Sequence, residues 1–147
     1  MHNIKLLIIA TFICTTLNGC VISIEGTSSS DELKEISFNQ SGELYVDVDS
    51  SYAYNFTLAG SENIINLHGN IHSLIIKGDL NQINITEDDQ LESIIIYGHS
   101  NDIYEDGVKV FTEELELPGN NNTVYISEYH TLNDTGWNNN VDAIEVD

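Results

Sequence analysis

Apolar and polar residues alternate in short runs, and the runs come in pairs separated by a glycine, two variable positions and an asparagine. Alternation with a period of two places the apolar side chains on one face of a strand. The apolar residues stand four and two positions before the glycine, and five and seven positions after it. The four clear repeats run Phe56, Leu58, Gly60, Asn63, Ile65, Leu67; Leu74, Ile76, Gly78, Asn81, Ile83, Ile85; Ile94, Ile96, Gly98, Asn101, Ile103; and Leu115, Leu117, Gly119, Asn122, Val124, Ile126. Each repeat therefore predicts two short strands joined by a Gly-x-x-Asn corner.

The spacing of the glycines indicates how the repeats are arranged. Successive glycines are 18, 20 and 21 residues apart, which is typical of stacked coils. No stretch of ten or more residues has helical periodicity, so we predict an all-β fold, a short parallel β-solenoid of about five coils. A degenerate fifth repeat follows at Gly136 and Asn139, and residues 36–58 form either a first coil or a capping hairpin. We expect the solenoid to be right-handed, because parallel β connections have that preference.

The corner residues have a structural interpretation. We expect the glycines to turn the chain by adopting positive φ, and the asparagines to tolerate left-handed geometry. Stacked coils would place the asparagines about 4.8 Å apart, where their amides can hydrogen-bond along the stack as a ladder. A ladder uses the amide donors and acceptors internally, so these residues are predicted to be structural: Gly60, Asn63, Gly78, Asn81, Gly98, Asn101, Gly119 and Asn122.

The N-terminus has the features of an export signal. Residues 6–17 are mostly apolar but too few to span a bilayer as a stable helix. Leu17-Asn18-Gly19-Cys20 resembles the bacterial lipobox, in which the cysteine is lipidated and becomes the first residue of the processed chain. We therefore predict a signal peptide at 1–19, a lipidated Cys20 with a flexible tether at 20–35, and a β-solenoid domain at 36–147. An ordinary signal peptide that leaves Cys20 as a free thiol is the alternative.

The residue after the cysteine and the net charge bear on location and partners. Val21 is not the aspartate that resembles an inner-membrane retention signal, so we expect the outer membrane. The chain has four lysines, no arginine and 24 acids, and loss of Lys5 with the leader changes its net charge from −20 to −21. Such a surface repels nucleic acid and attracts basic proteins and divalent cations.

The candidate chemistry is sparse. Four histidines follow the leader without a zinc-binding spacing: His68, His72, His99 and His130. We predict no cofactor and no specific metal site, although weak Ca²⁺ binding can occur at Glu87, Asp88 and Asp89, with Asp47, Asp49, Glu105 and Asp106 as further candidates. We expect no enzyme activity, because no nucleophile elbow or phosphate-cradling loop is present. The corner opposite Gly-x-x-Asn varies in length, and we expect any site there.

The repeat and the lipobox together resemble a family of small bacterial lipoproteins that carry a domain of unknown function. The resemblance implies a β-solenoid without an assigned activity and brings no functional residues. We predict a non-enzymatic, membrane-anchored binding or structural module whose partner is a basic protein or a glycan. The alternative is an acidic inhibitor or immunity lipoprotein that neutralises a basic toxin, phage protein or wall enzyme. An aromatic binding face could use Tyr52, Tyr54, Tyr97, Tyr104, Tyr125 and Trp137.

Overall fold

The computed structural model describes residues 11–15, 19–24, 33–86 and 89–146. These residues contain eleven strands, which are joined by turns and short loops. No helix occurs in these residues. The strands are β1 (Thr11–Thr15), β2 (Gly19–Ile24), β3 (Lys34–Phe38), β4 (Tyr45–Leu58), β5 (Ile64–Ile76), β6 (Gln82–Ile85), β7 (Asp89–Ile96), β8 (Asp102–Glu105), β9 (Val110–Glu116), β10 (Thr123–Asn133) and β11 (Asn140–Glu145). The predicted all-β solenoid is confirmed.

The strands form two parallel ladders that the chain visits alternately. The first ladder follows the Gly-x-x-Asn corners and contains β2, residues 45–50 of β4, residues 64–69 of β5, β6, β8, residues 123–125 of β10, and residues 140–142 of β11. The second precedes the corners and contains β3, residues 54–58 of β4, residues 71–76 of β5, β7, β9, residues 128–133 of β10, and residues 144–145 of β11. The long strands bend between the ladders, and in β5 the bend lies at Gly69, whose φ is +85°. One chain thus supplies both sheets in every turn.

The solenoid has about six turns, one more than the sequence predicted. The difference lies at the N-terminal end, where β3 pairs in parallel with β4 and so belongs to a turn of its own. The capping-hairpin alternative for residues 36–58 is therefore wrong. At the other end the degenerate repeat also forms a turn, because β11 pairs in parallel with β10 after Gly136. The handedness stays a prediction.

The core lies between the two ladders and consists of columns of apolar side chains. One column of the first ladder contains Val46, Ile65, Ile83, Ile103 and Val124, and one of the second contains Ile36, Phe56, Leu74, Ile94 and Leu115. All of these side chains are buried. Burial of each contributes about 1.5–3 kcal/mol relative to exposure, so stacking is the main stabilising term.

The predicted leader contains strand β1, which pairs antiparallel with β2. Strand β2 in turn pairs in parallel with β4, with the Cα of Cys20 opposite that of Val46. The leader at 1–19, the tether at 20–35, the domain at 36–147 and the lipid on Cys20 stay predictions. Within the described residues, no helix combines the length and hydropathy that a membrane span requires.

Candidate functional site

The corner asparagines form the predicted ladder. The Nδ2 atoms of Asn63, Asn81 and Asn101 each donate to the Oδ1 of the asparagine one turn later, at 3.2, 3.0 and 3.2 Å. The same Oδ1 atoms accept the backbone N–H of the earlier asparagine at 2.9 to 3.0 Å. The ladder continues to the last corner, where Asn139 Oδ1 accepts the N–H of Asn122 at 2.9 Å. These amides are thus bound within the fold, as the structural interpretation requires.

The corner glycines are needed for close stacking and not for positive φ, so the predicted conformation was wrong. None of Gly60, Gly78, Gly98 and Gly119 is among the described residues with positive φ. A Cβ on Gly78 would lie 1.9 Å from the carbonyl oxygen of Gly60, far inside van der Waals contact. That oxygen also accepts the Asn81 Nδ2 at 3.0 Å. Glycine therefore lets successive corners approach closely enough for the asparagine to bridge them.

The left-handed residue of each corner is the one immediately before the asparagine. Its φ lies between +55° and +61° in every corner, and it is Glu43, Glu62, Leu80, Ser100, Asn121 and Asn138 in turn. In the first corner Leu44 occupies the asparagine position, since its carbonyl accepts the N–H of Ile64 at 2.9 Å. Left-handed geometry suits asparagine and strains other side chains. Only the last two corners carry the residue that the backbone favours.

A second column of side chains stabilises the corners from outside. The residue after each corner glycine accepts the backbone N–H of its equivalent one turn later. The acceptors are Ser61 for Asp79, Asp79 for His99, His99 Nδ1 for Asn120, and Asn120 for Trp137, at 2.7 to 3.0 Å. His99 is thus part of the scaffold rather than a free ligand.

A groove runs along the solenoid beside these corners. Residues of the first four turns line it: Glu43, Glu62, Asn63, Ile64, Leu80, Asn81, Gln82, Ser100 and Asp102. Its floor is Asn63 and Asn81, which are buried. One wall is a column in which Ile64 pairs with Gln82 and Gln82 with Asp102. The other wall is the row of left-handed residues.

The groove combines acidic and aliphatic side chains. Glu43, Glu62 and Asp102 supply three carboxylates, and no lysine is among the lining residues. Leu80 is 57% exposed and Ile64 is 41% exposed, although both side chains are aliphatic. The groove therefore offers separated negative charges with apolar surface between them, which suits a cationic and partly apolar ligand.

The other histidines are not brought together. His68 lies between Thr86, whose Oγ1 is 2.6 Å from Nδ1, and Asp47, whose Oδ1 is 3.7 Å from Nε2. Thr86 Oγ1 also donates to the Leu67 carbonyl at 3.0 Å, so its proton is held by the backbone. His72 instead pairs with Glu92 at 2.7 Å.

The cation candidates differ in what the structure says of them. Glu87 and Asp88 lie outside the described residues, and the side chain of Asp89 is not described. The carboxylate of Glu105 accepts the Ser127 hydroxyl at 2.8 Å and the Val110 N–H at 3.1 Å, which holds the long loop after β8. Among the described residues, no three His, Cys, Asp or Glu side chains are grouped as metal ligands. Weak Ca²⁺ binding stays a prediction.

The aromatic residues do not form one face. Tyr104 and Tyr125 stack with centroids 5.2 Å apart and planes at 9°, so their ring faces are directed at each other. Tyr54 is buried and donates to the His68 carbonyl at 2.8 Å, and Tyr52 lies under the Lys34 ammonium at 5.5 Å. Of the six candidate aromatic residues, only Tyr97 and Trp137 are more than half exposed, at 52% and 72%. Such a distribution is unlike a continuous stacking platform for a glycan.

Compared with protein-family models, curated proteins and solved structures, the chain gives no match. The resemblance to small bacterial lipoproteins thus depends on the lipobox and the repeat alone. The fold and the corner geometry define the class of the protein, which is an acidic β-solenoid repeat protein.

The sequence predicted any site at the corner of variable length, whereas the groove lies beside the Gly-x-x-Asn corners. The groove is lined in part by the residue that precedes each corner asparagine. Glu62, Leu80 and Ser100 occupy this position, although its left-handed backbone conformation favours glycine or asparagine. Without the backbone angles, nothing distinguished this variable position from its neighbour.

Proposed function

We propose that the protein is a non-enzymatic binding module of the bacterial cell envelope, held at a membrane by a lipid on Cys20. The lipobox at residues 17–20 supports the anchor, and Val21 favours the outer membrane. The observation that carries the binding role is the groove, where exposed aliphatic and acidic side chains meet while the corner amides are bound internally. A stacked scaffold that presents such a surface suits recognition.

A basic protein is the favoured partner. The chain has a net charge of −20, and the groove adds three carboxylates without a lysine among its lining residues. Electrostatic attraction of this kind accelerates association and makes it sensitive to salt. The separated aromatic side chains give less support to a glycan partner.

The second candidate function is an acidic inhibitor or immunity lipoprotein, and the same groove favours it. An inhibitor of a basic toxin, phage protein or wall enzyme would cover a cationic surface of its target. An inhibitor is distinguished from a structural module by the activity of the captured protein, which would fall as the complex forms. A structural module would leave that activity unchanged.

The lipid anchor is tested by growing a bacterium that expresses the full chain with an alkyne analogue of palmitate. We expect the wild-type protein to be labelled and to sediment with the outer membrane. Cys20→Ser should be unlabelled and lost from that fraction, whereas Cys14→Ser is the matched control and should keep the label. Equal labelling of the Cys20→Ser protein, or none in the wild type, would contradict the anchor.

The binding role is tested with the detergent-solubilised full chain as an affinity matrix for envelope proteins, eluted with a salt gradient. We expect a basic protein to be released sharply between low and moderate salt. Its own activity, assayed with and without one equivalent of the solenoid, separates the inhibitor from the structural module. Retention of neutral or acidic proteins alone would overturn the choice of a basic partner.

A further inference from the structure

We infer that the groove beside the corners is the docking surface for an extended basic segment of a partner protein, in which cationic and aliphatic side chains alternate. This inference rests on the proposed binding function and names the surface and the chemistry of its occupant. Four observations carry it: the spread of the carboxylates, the exposed aliphatic side chains, the strained backbone and the length of the groove.

The carboxylates are spread over the turns and not clustered. Glu43 and Glu62 belong to the first and second corners and Asp102 begins the strand after the fourth, so stacking separates them by one to three strand spacings of about 4.8 Å. Within the described part of the chain, no three acidic or histidine side chains are grouped to share one metal ion. Separated carboxylates match separate cations, which an extended chain with several lysines or arginines supplies.

The aliphatic side chains lie between the charges. Leu80 occupies the left-handed position of the third corner, between Glu62 on one side and Ser100 on the other. Ile64 faces it from the first strand ladder, one turn earlier. A partner that covers both side chains removes their apolar surface from water, at about 25 cal/mol per Å². This term gives the groove a preference for apolar side chains that charge alone would not provide.

Leu80 adopts a backbone conformation that is unfavourable for leucine. Its φ is +59°, and its side chain is too exposed for core packing to explain the choice of residue. The equivalent positions of the last two turns are Asn121 and Asn138, which suit the same backbone and lie outside the groove. The strained residues Glu43, Glu62, Leu80 and Ser100 all belong to the lining. The four turns that line the groove thus carry side chains that the left-handed backbone does not favour. This indicates that these residues were selected for the surface they present.

The length of the groove determines how long a bound segment can be. Four stacked corners span about 14 Å along the axis, which an extended segment of about five residues covers. Alternate side chains of such a segment are about 7 Å apart and point to one side. A segment that presents both cationic and aliphatic side chains suits this lining, because each wall carries at least one carboxylate and one aliphatic side chain. A second copy of this chain would bring a net charge of −20 against the same acids, so it is not the occupant.

The test uses the full chain in detergent and two fluorescent peptides of ten residues, one alternating lysine with valine and one alternating lysine with serine. Affinity is measured by fluorescence anisotropy at about 20 mM and 300 mM salt. We expect the lysine–valine peptide to bind more tightly than the lysine–serine peptide at both salt concentrations. We expect both peptides to weaken as the salt concentration rises.

Two variants with the same change of charge locate the binding. Glu43→Gln with Glu62→Gln removes two groove charges, whereas Glu114→Gln with Glu145→Gln removes two exposed charges that are not in the lining. We expect the first pair to weaken the lysine–valine peptide about fivefold and the second less than twofold, as direct ion pairs outweigh screened ones. Equal weakening by both pairs would assign the binding to the overall charge and overturn the inference.

Leu80→Asn tests the apolar contact without a change of charge. We expect this variant to lose the preference for the lysine–valine peptide while it binds the lysine–serine peptide as before. A thermal melt of each variant shows that the fold is kept. An unchanged preference, or no binding of either peptide to the wild type, would overturn the inference. These outcomes are independent of palmitate labelling, so a failed anchor and a failed groove are distinguishable.

Discussion

Asn81 Oδ1 accepts two hydrogen bonds from Asn63, one from its backbone N–H at 3.0 Å and one from its Nδ2 at 3.2 Å. The other hydrogen of Asn63 Nδ2 is donated to the Gln40 carbonyl at 2.9 Å. Asn63 Oδ1, in contrast, is buried and has no donor among the described residues. The ladder therefore begins at Asn63, because Leu44 precedes it in the stack.

This difference predicts unequal costs for two alanine substitutions. The Asn101 side chain makes four hydrogen bonds, two through Nδ2 and two through Oδ1, whereas the Asn63 side chain makes two. Asn101→Ala would leave buried donors and acceptors without partners, at about 1–3 kcal/mol each. We expect it to lower the free energy of unfolding by at least about 2 kcal/mol more than Asn63→Ala does. Urea unfolding at pH 7 measures both, and equal losses would contradict a continuous ladder.

Close stacking predicts that Gly78 cannot be replaced. The nearest atom to an added Cβ is the Gly60 carbonyl oxygen, which belongs to the backbone and cannot move without separating two turns. We expect Gly78→Ala to cost about 3 kcal/mol or more. Gly107→Ala is the control, since its φ is +73° but nothing lies within 4 Å of its added Cβ. It should cost about 1 kcal/mol. If Gly107→Ala cost as much as Gly78→Ala, close stacking would not be the reason for glycine at the corners.

The repeat predicted most of the fold, because one corner and one alternating pattern describe every turn. The ladder of Asn63, Asn81, Asn101 and Asn122 followed from their spacing. The first turn was only one of two alternatives for residues 36–58, since Gln40 and Leu44 replace the glycine and the asparagine there. The conformation of the corner also escaped prediction. A positive φ and a close backbone contact both require glycine, and the sequence alone does not distinguish between them.

The left-handed position before each corner asparagine predicts opposite changes in stability for two substitutions. Leu80 and Asn121 are equivalent residues with φ of +59° and +55°, and both side chains are exposed. Asparagine adopts this conformation more readily than leucine, so Leu80→Asn should stabilise the fold by about 1 kcal/mol. Asn121→Leu should destabilise it by at least as much, because it also removes the hydrogen bond that Asn138 Nδ2 donates to Asn121 Oδ1. Thermal unfolding of both variants checks the pair, and a loss of stability in Leu80→Asn would show that packing outweighs the backbone preference.

The stacked tyrosines predict a loss of stability at alkaline pH. Partial burial raises the pKa of Tyr104 above its ordinary value of 10.0, and the charges of Asp102 and Tyr125 raise it further. The folded state thus holds this proton more tightly than the unfolded state does. The resulting stabilisation is complete below pH 10 and is lost as pH rises through the folded-state pKa of Tyr104. The unfolding free energy should therefore fall with pH above about 10.

Replacement of the phenol isolates this contribution. Tyr104→Phe keeps the ring stacked on Tyr125 and removes the titrating hydroxyl. We expect its unfolding free energy, measured in urea from pH 8 to pH 11, to fall less steeply than that of the wild type above pH 10. Tyr97→Phe is the matched control, because it removes the same hydroxyl from an exposed ring that is not part of the Tyr104–Tyr125 stack. Parallel curves for wild type and Tyr104→Phe would mean that the tyrosine stack does not favour the neutral phenol.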